Sequence, residues 1–283
     1  MCIPVFNGER FLRQTLDSVF AQTFEDFEVV VSDNCSTDGT SALLERYDDR
    51  RLRVMRNREN IGAIANWNQV RAEARGAYVK LLPADDVLAP HCLARQVAVL
   101  DDPAHAGVVM VAGKRDIVDE DDQVLLRDRG LAGLRGVVRG HDAVRHTVRA
   151  GTNVFGEPAA VLVRQEALAQ CRPFTSSRPY MVDVELWCEV LSHGDLYALA
   201  ETVATFRVSG TSESAKEARS QARQAQELFR ALHQASPDVV RRRDVLTGAA
   251  RAVALAHSRR LLYRVLARRA VRASSSDQVS GRH

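Results

Sequence analysis

Short apolar runs rich in β-branched residues alternate along the first half of the chain with longer segments whose apolar residues recur at helical spacing. Near-continuous apolar runs are typical of buried parallel strands, and the longer segments are typical of amphipathic helices. The pattern predicts strands over Cys2–Phe6, Phe27–Ser32, Leu52–Arg56, Ala77–Leu82 and Val108–Ala112. It predicts helices over Glu9–Ala21, Ser41–Tyr47, Ile64–Arg75 and His91–Leu100. This alternation indicates βαβ crossovers, so we expect an α/β fold with a mostly parallel, Rossmann-like sheet flanked by helices.

The second half is less regular. Between Gln123 and Val138 the pattern weakens and three glycines appear, which indicates a loop or a small excursion. Strands are predicted near Ala159–Val163 and Ala204–Val208, and helices over Asp183–His193, Glu213–Gln234 and Asp244–Val271. We therefore predict a catalytic domain over 1–212, divided near residue 112, and a helical extension over 213–273. A Ser-rich tail, 274–283, is expected to be disordered.

The net charge of +3 is unevenly distributed. Ten arginines and two aspartates lie between Asp238 and Arg272, a local net charge of +8, so residues 1–237 are mildly acidic. Arginines at 260, 264, 268 and 272 recur every four residues beside leucines. A basic amphipathic helix of this kind binds anionic membrane surfaces, although a solvated helix that packs on the domain has the same pattern. Interleaved aromatic residues are lacking there, so nucleic-acid binding is not expected.

Cysteine usage and hydropathy indicate a cytoplasmic protein, with peripheral attachment to the inner membrane face left open by the basic helix. The five cysteines are odd in number and contain no C-x-x-C pair, which favours neither a zinc site nor a disulfide framework. No apolar stretch approaches the roughly 18–20 residues of a membrane span. Met1 leads directly into the first predicted strand, without the charged segment that begins a signal peptide.

Polar residues collect where the predicted strands end, which is where ligands bind in open α/β sheets. Asn7, Gly8 and Glu9 follow the first strand, and Asp33 and Asn34 follow the second. No G-x-G-x-x-G or Walker A sequence occurs in the chain. These absences argue against a nicotinamide dehydrogenase and a P-loop NTPase.

Asp85 and Asp86 are adjacent carboxylates that directly follow the strand predicted to end at Leu82. Such a pair repels itself unless a cation is present, and oxygen ligands suit Mg²⁺ or Mn²⁺. A solvated Asp-Asp turn is the competing interpretation. The chain contains three further pairs in polar, loop-like surroundings: Asp48-Asp49, Asp101-Asp102 and Asp121-Asp122.

Several motifs in fixed order resemble family 2 glycosyltransferases of the GT-A fold over about residues 1–210. They are Ile3–Leu12 (IPVFNGERFL), Gln22–Phe24, Val31–Thr40 (VSDNCSTDGT), Asn60–Gly62 and Asp85-Asp86. The resemblance implies an inverting enzyme that uses a nucleotide-sugar donor. It implies that Asp86 binds the metal ion and that Asp85 contacts the donor.

The resemblance also implies a nucleoside site built from Pro4, Val5, Phe6, Glu9 and Asp33. A carboxylate there can accept the imide N–H of uracil or thymine. Asp33 has a competing role as the cap of the turn that follows it. Asn60 and Asn66 are further candidates for donor binding. Trp67 stands where many family members have arginine, which leaves the contacts of the donor phosphates open.

The segment Tyr180–Trp187 (YMVDVELW) resembles the family's Glu-Asp-x-Asp-Leu-Trp motif, with Val182 where Glu is common. The resemblance implies that Asp183 is the catalytic base. The alternative is that Asp183 only caps the helix that begins there. An aspartate with an ordinary pKa of about 3.9 is ionised at neutral pH and available as a base. Thr205–Ser209 resembles a Tyr-Arg-x-His segment, with Ser209 in place of His.

Together these features predict transfer of a sugar from a UDP-, dTDP- or GDP-sugar to a glycan, lipid-linked or small-molecule acceptor. Cell-surface polysaccharide, lipid-linked glycan and secondary-metabolite glycosylation are all admissible pathways. Two alternatives stay open. One is a catalytically inactive relative that acts as a membrane-associated scaffold, and the other is a nucleotidyltransferase, although Pro4–Arg10 is not the Gly-rich basic loop that such an enzyme uses.

Overall fold

The strands of the computed structural model form two sheets that meet along the first strand. The structure describes residues 1–208 and 220–257. The strands are β1 (Cys2–Val5), β2 (Val29–Asp33), β3 (Leu52–Arg56), β4 (Tyr78–Val79), β5 (Val87–Leu88), β6 (Val108–Val118), β7 (Val124–Arg129), β8 (Gly136–Val138), β9 (Val161–Arg164) and β10 (Asp195–Arg207). The helices are α1 (Leu12–Phe20), α2 (Thr40–Leu44), α3 (Ala63–Ala72), α4 (Cys92–Asp101), α5 (Gly140–Ala150), α6 (Gln165–Leu168), α7 (Val182–Val190), α8 (Gln221–Ala235) and α9 (242–257).

The first sheet is parallel, in the order β1-β2-β3. Every residue of β1 and β2 is buried, which explains their near-continuous apolar sequence. The register pairs Val5 with Asp33 and Asp33 with Arg56. The carboxyl ends of the three strands therefore lie side by side at one edge.

The two sheets are joined through the backbone of Cys2. Its N–H donates to Lys80 O at 2.9 Å, and the N–H of Leu82 donates to Cys2 O at 2.9 Å. The buried Lys80 ammonium donates to the carbonyls of Ala159 and Val161 at 2.7 and 3.0 Å. These bonds offset part of the cost of burying a charge, and burial lowers the pKa of Lys80. The segment that leads to Asp85 is thus fixed beside the end of β1.

The second sheet is mixed and has the order β4-β9-β6-β10-β5, with β7 added to β6 and β8 to β10. β6 and β10 pair in parallel, whereas the other pairings of this sheet are antiparallel. Two long strands, of 11 and 13 residues, form its centre. They extend from the core of the sheet to the edge where β1 ends.

Helix α9 packs against α5. Gly151 ends α5 in the left-handed conformation, with φ of +73°, and a Cβ there would lie 2.7 Å from Ala252 N. A Cβ at Gly248 would lie 2.0 Å from Val148 O, so only glycine lets α9 approach this closely. The buried Asp244 accepts a hydrogen bond from Arg145 at 2.9 Å. The described part of the extension is therefore bound to the core of the preceding residues.

The predicted α/β class and helical C-terminal part are confirmed, and the structure adds elements that the sequence pattern did not reveal. Parallel pairing dominates only in the first sheet. Residues 124–129 and 136–138 are strands, where a loop or excursion was expected. Nearly all residues of β7 are exposed, so its sequence lacks the apolar pattern that predicts a strand. The strand predicted over Ala77–Leu82 is reduced to Tyr78–Val79. The helix α5 was not predicted.

Some predictions fall on residues outside the described ranges. These are the boundary at 212, the start of the helix from Glu213, the arginine repeat over 260–272 and the tail from Ser274. Within residues 1–208 and 220–257, no helix combines the length and the apolar character needed to cross a bilayer.

Candidate active site

A cleft of about 800 Å³ opens at the carboxyl end of β1, beside the first turn of α3. Pro4, Val5 and Phe6 line one part of it, and Asn60, Asn66 and Asp85 also line it. Residue Phe6 is 48% exposed, so its ring offers a flat apolar surface to a planar ligand. Six of the residues predicted to bind the donor thus share one cleft.

A network of asparagine side chains fixes the loop between β3 and α3. Asn34 donates to Asn60 Oδ1 at 2.8 Å, and Asn57 donates to Asn34 Oδ1 at 3.0 Å. The buried Asn66 accepts from Ser32 Oγ at 2.6 Å and donates to Ser32 O at 3.0 Å. Asn34 was noted at the end of the second predicted strand without a role, and Asn57 was not predicted. Their role depends on contacts between segments more than 20 residues apart, for which the local sequence gives no signal.

Asp33 and Glu9 are not among the residues that line the cleft. Asp33 is buried, and its two oxygens accept from Ser36 N at 2.9 Å and Ser41 Oγ at 3.0 Å. Glu9 accepts from Gly39 N at 2.9 Å. Both carboxylates bind the turn between β2 and α2, and for Asp33 these are the contacts of the capping role.

Asp86 is fully buried directly after the junction of the two sheets. Its Oδ1 accepts from the backbone N–H of Arg207 at 3.0 Å, whereas its Oδ2 has no hydrogen-bond partner. Burial, and then the charge of Asp85, raise the pKa of Asp86 well above its ordinary value. Burial also raises the pKa of Asp85. A buried carboxylate oxygen without a donor is costly unless a cation binds it.

Arg207, at the end of β10, holds the Asp85-Asp86 turn in place. Its guanidinium donates to Asp85 O at 3.1 Å, to Asp119 O at 3.2 Å and to Gln14 Oε1 at 2.6 Å. It also forms an ion pair with Asp122 at 2.8 Å. This side chain therefore connects α1, the aspartate pair and the turn between β6 and β7.

The residues at this position fit a magnesium or manganese ion. The unpartnered Asp86 Oδ2 is an oxygen ligand, and Asp85 is its neighbour. Among the described residues, no group of three or more His, Cys, Asp or Glu side chains is arranged to hold a metal ion. Few protein ligands are what Mg²⁺ commonly has at phosphate-binding sites, because phosphate oxygens and water complete its coordination shell.

Asp183 lies in the first turn of α7, at the wall of a second cavity of about 200 Å³. Its Oδ2 accepts from Asn153 Nδ2 at 2.8 Å, and its Oδ1 accepts from Val184 N at 2.7 Å. Apolar side chains, including Met181 and Phe206, line much of this cavity. Burial, and then the negative charge of Glu157, raise the pKa of Asp183 to about 7. The expectation of an ordinary pKa is therefore corrected, and both the ionised and the protonated forms of Asp183 are populated near neutral pH.

Glu157 and Arg115 form an ion pair beside Asp183 that the sequence did not reveal. Arg115 Nη2 donates to Glu157 Oε1 at 3.0 Å, and its Nε contacts the other carboxylate oxygen. The charge of Glu157 raises the pKa values of both Asp183 and Asp86. Glu157 therefore lies within electrostatic reach of both carboxylates. The pair is 42 residues apart and matches no motif, so only the fold brings it together.

Trp67 lines the cleft and packs edge-on against Phe174, with ring centroids 6.2 Å apart. A partly buried aromatic side chain that packs against the core thus occupies the position at which many members of the resembled family have arginine. Ser209, the other departure, lies outside the described residues.

Comparison with protein families identifies relatives of this architecture. The sequence model of Glycosyl transferase family 2 matches residues 1–169. A protein of Nostoc sp. named uncharacterized glycosyltransferase alr2836 is 28% identical over 235 residues, which are 78% of this chain and 70% of that protein. TuaG of Bacillus subtilis, a glycosyltransferase ascribed to teichuronic acid biosynthesis, is 36% identical over 85 residues. That match covers 29% of this chain and 34% of TuaG, so the relatives contain segments without a counterpart in the alignment.

Solved structures share the fold. TarS 1–349 of S. aureus in complex with UDP-GlcNAc superposes with a TM-score of 0.65 at 20% identity, over 82% of this chain and 64% of that chain. The mannosyltransferase PcManGT from Pyrobaculum calidifontis, in complex with GDP-Man and Mn²⁺, gives 0.59 at 19% identity, over 94% of this chain and 78% of that chain. These similarities confirm the predicted GT-A type fold.

Proposed function

Because the chain belongs to glycosyl transferase family 2, we propose that it transfers a sugar from a nucleoside diphosphate sugar to an acceptor hydroxyl, with inversion at the anomeric carbon. One observation carries this proposal. Asp183, a carboxylate whose pKa burial raises to about 7, and Asp86, a buried carboxylate with an unpartnered oxygen, both lie within reach of the charge of Glu157. Such an arrangement separates a proton acceptor from a cation ligand within one site.

The donor occupies the cleft at the end of β1. Phe6 stacks on the nucleobase, Pro4 and Val5 contact the nucleoside, and Asn60 and Asn66 supply polar contacts. Glu9 and Asp33 act indirectly, because their carboxylates accept hydrogen bonds from the turn between β2 and α2 and stabilise it. UDP-, dTDP- and GDP-sugars are the proposed donors, and the complexes of TarS with UDP-GlcNAc and of PcManGT with GDP-Man support this class.

Asp86, with its unpartnered Oδ2, would hold Mg²⁺ or Mn²⁺, and Asp85 would contact the donor beside it. When bound, the cation offsets the negative charge that grows on the departing diphosphate. Arg207 keeps the backbone of the aspartate pair in place, and its N–H satisfies the second oxygen of Asp86. The Mn²⁺ of the PcManGT complex supports this assignment.

Asp183 takes the proton of the acceptor hydroxyl as general base. The acceptor oxygen forms a bond to the anomeric carbon while the bond from that carbon to the diphosphate oxygen breaks on the opposite face. The nucleoside diphosphate leaves with the bonding electrons, and the proton remains on Asp183. Asn153 orients the carboxylate by donating to Oδ2. A pKa of about 7 makes Asp183 a stronger base than an ordinary aspartate.

The acceptor enters the apolar cavity around Asp183 and is a glycan, a lipid-linked sugar or a small molecule. We favour cell-surface polysaccharide synthesis, because the name of the TuaG relative refers to a cell-wall polymer.

The catalytic unit is proposed to span residues 1–212, with donor binding in the first half and acceptor binding in the second. The basic residues 258–273 are proposed to bind an anionic inner membrane surface. A chain ending at His257 keeps the packing of α9 on α5. Full-length protein is expected to co-sediment with acidic vesicles more than this shorter chain does, and equal partitioning of the two would exclude the membrane role.

The proposal is tested by screening UDP-, dTDP- and GDP-sugars for thermal stabilisation with Mn²⁺ present. Donor cleavage is then measured for the sugars that bind, with and without a chelator. Metal-dependent release of the nucleoside diphosphate is the expected result. Binding without cleavage in the presence of any acceptor would indicate an inactive relative, and release of pyrophosphate from a nucleoside triphosphate would indicate a nucleotidyltransferase.

A further inference from the structure

Arg10 is the one basic side chain among the described residues that line the donor cleft. Asp85 and Glu120 also line this cleft, so its side-chain charges without a ligand are mainly negative. A diphosphate adds further negative charge. A cation bound at Asp86 would compensate part of this negative charge. Trp67 supplies no charge at the position where many members of the resembled family have arginine.

Arg10 is connected to the aspartate pair through the Phe11 ring and Arg207. Its guanidinium stacks on the Phe11 ring, 4.8 Å from the centroid, and the guanidinium of Arg207 stacks on the same ring at 4.5 Å. Arg207 in turn donates to Asp85 O at 3.1 Å. The shared ring therefore places Arg10 close to the end of the cleft at which the cation and the diphosphate are proposed to bind.

The turn between β6 and β7 holds Arg10 in the absence of a donor. Arg10 Nη1 lies 2.5 Å from Glu120 Oε2, and Nη2 lies 3.7 Å from Asp121 Oδ1. The side chains of Arg10 and Glu120 are 57% and 45% exposed, so water screens their attraction and the pair is weak. A diphosphate offers several charged oxygens to the planar guanidinium fork, which binds phosphate in a bidentate manner.

We propose that Arg10 binds the diphosphate of the donor and that Glu120 holds Arg10 at the mouth of the cleft until the donor displaces it. Arg207 does not take this role, because its guanidinium is buried and already engaged with Asp85, Asp119, Gln14 and Asp122. The inference rests on the proposed function, since it requires that the cleft binds a nucleoside diphosphate.

Binding of UDP, dTDP and GDP to the wild-type protein is measured first by calorimetry with Mn²⁺. For the nucleotide that binds, Arg10→Ala is expected to raise the Kd about 10-fold or more, as for loss of a hydrogen bond to a charged group. The Kd of the matching nucleoside, which has no phosphate, is expected to stay unchanged. Arg13→Ala is the matched control, because Arg13 is an exposed arginine of α1 that does not line the cleft.

Glu120→Gln is expected to lower the Kd of the nucleoside diphosphate about 2- to 5-fold by releasing Arg10. In the Arg10→Ala background the same substitution is expected to have no effect, since there is no guanidinium left to release. If the gain persists in that background, Glu120 acts on the diphosphate directly and the holding role is overturned. Equal loss of nucleoside and nucleoside diphosphate in Arg10→Ala would overturn the phosphate contact. If the wild-type protein binds none of the three nucleotides, the proposed function itself fails.

Discussion

The cleft proposed to bind the donor and the cavity around Asp183 are each associated with an aspartate carboxylate, Asp86 and Asp183. The two carboxylates differ in their surroundings. The cleft has a volume of about 800 Å³ and is lined by strand ends and asparagines, whereas the cavity has a volume of about 200 Å³ and its lining includes Asn153, Met181 and Phe206. The pKa of Asp86 beside the first and that of Asp183 in the second are both raised, chiefly by burial. Their partners differ, because Asp86 keeps one oxygen without a donor and Asp183 has a donor on each oxygen.

This difference separates two roles that burial alone does not distinguish. A buried oxygen without a donor is suited to a cation, which replaces the lost water. A carboxylate fixed by a neutral amide and a backbone N–H, with a pKa near the working pH, is suited to accept a proton. The number of donors on each oxygen is therefore the informative observation.

The largest expected effect is that of Asp86→Asn. The amide keeps the size and still accepts from Arg207 N, but it loses the charge that binds the cation. Turnover is expected to fall about 1000-fold, since a bound cation contributes several kcal/mol at the developing charge. Donor binding, measured by calorimetry, is expected to lose its dependence on Mn²⁺. Asp48→Asn, at an exposed aspartate of another Asp-Asp pair, is the control. Metal-dependent activity retained in Asp86→Asn would contradict the assignment.

A smaller but more selective loss is expected for Asp183→Asn. This variant keeps the shape of the side chain and removes the base, so transfer is expected to fall at least ~100-fold. The Kd of the donor is expected to stay within about twofold of wild type, because Asp183 belongs to the other cavity and makes no contact in the donor cleft. Parallel measurement of donor binding and sugar transfer checks this. Weakened donor binding with unchanged transfer would mean that the two regions had been assigned the wrong way round.

The smallest expected effect is a change of pH profile in Glu157→Gln. Only ionised Asp183 accepts a proton, so the kcat of the wild type is expected to rise with pH through a midpoint of about 7. Glutamine removes the negative charge that raises this pKa and leaves the positive charge of Arg115 unpaired, and both changes favour the ionised base. The midpoint is therefore expected to move down by about one pH unit. Glu201→Gln, from the exposed ion pair with Arg95, is the control. Identical midpoints for Glu157→Gln and wild type would show that Glu157 does not raise the pKa of Asp183.

Strands β1 and β2 were predictable because all of their residues are buried and they therefore carry near-continuous apolar runs, whereas β3 is only partly buried. The edge strand β7 was not, since nearly all of its residues face water and its pattern resembles that of a loop. The mixed pairing of the second sheet was also hidden, because hydrophobic periodicity does not encode the direction of a neighbouring strand.

For the candidate site, the motifs indicated Asp86 and Asp183, and the fold supplied their surroundings. The pKa of Asp183 is raised first by burial and then by the charge of Glu157, and the orientation of its carboxylate depends on Asn153, 30 residues earlier in the chain. Neither residue belongs to a recognisable motif. Asp33 was open to two interpretations from the sequence, and only its contacts with Ser36 and Ser41 distinguish them. Roles that depend on several distant contacts were the ones that sequence reasoning missed.

The contacts of Arg207 have a consequence for exchanging parts between relatives. The donor cleft is encoded almost entirely before residue 112, which invites chimeras in which this segment alone is replaced to change the sugar nucleotide that is used. Such a chimera would import a foreign aspartate pair and leave behind the arginine that holds its backbone from β10. We therefore expect that exchanging the first segment alone does not transfer the preference for a donor. The end of β10 and the turn at 119–122 have to be exchanged together with that segment.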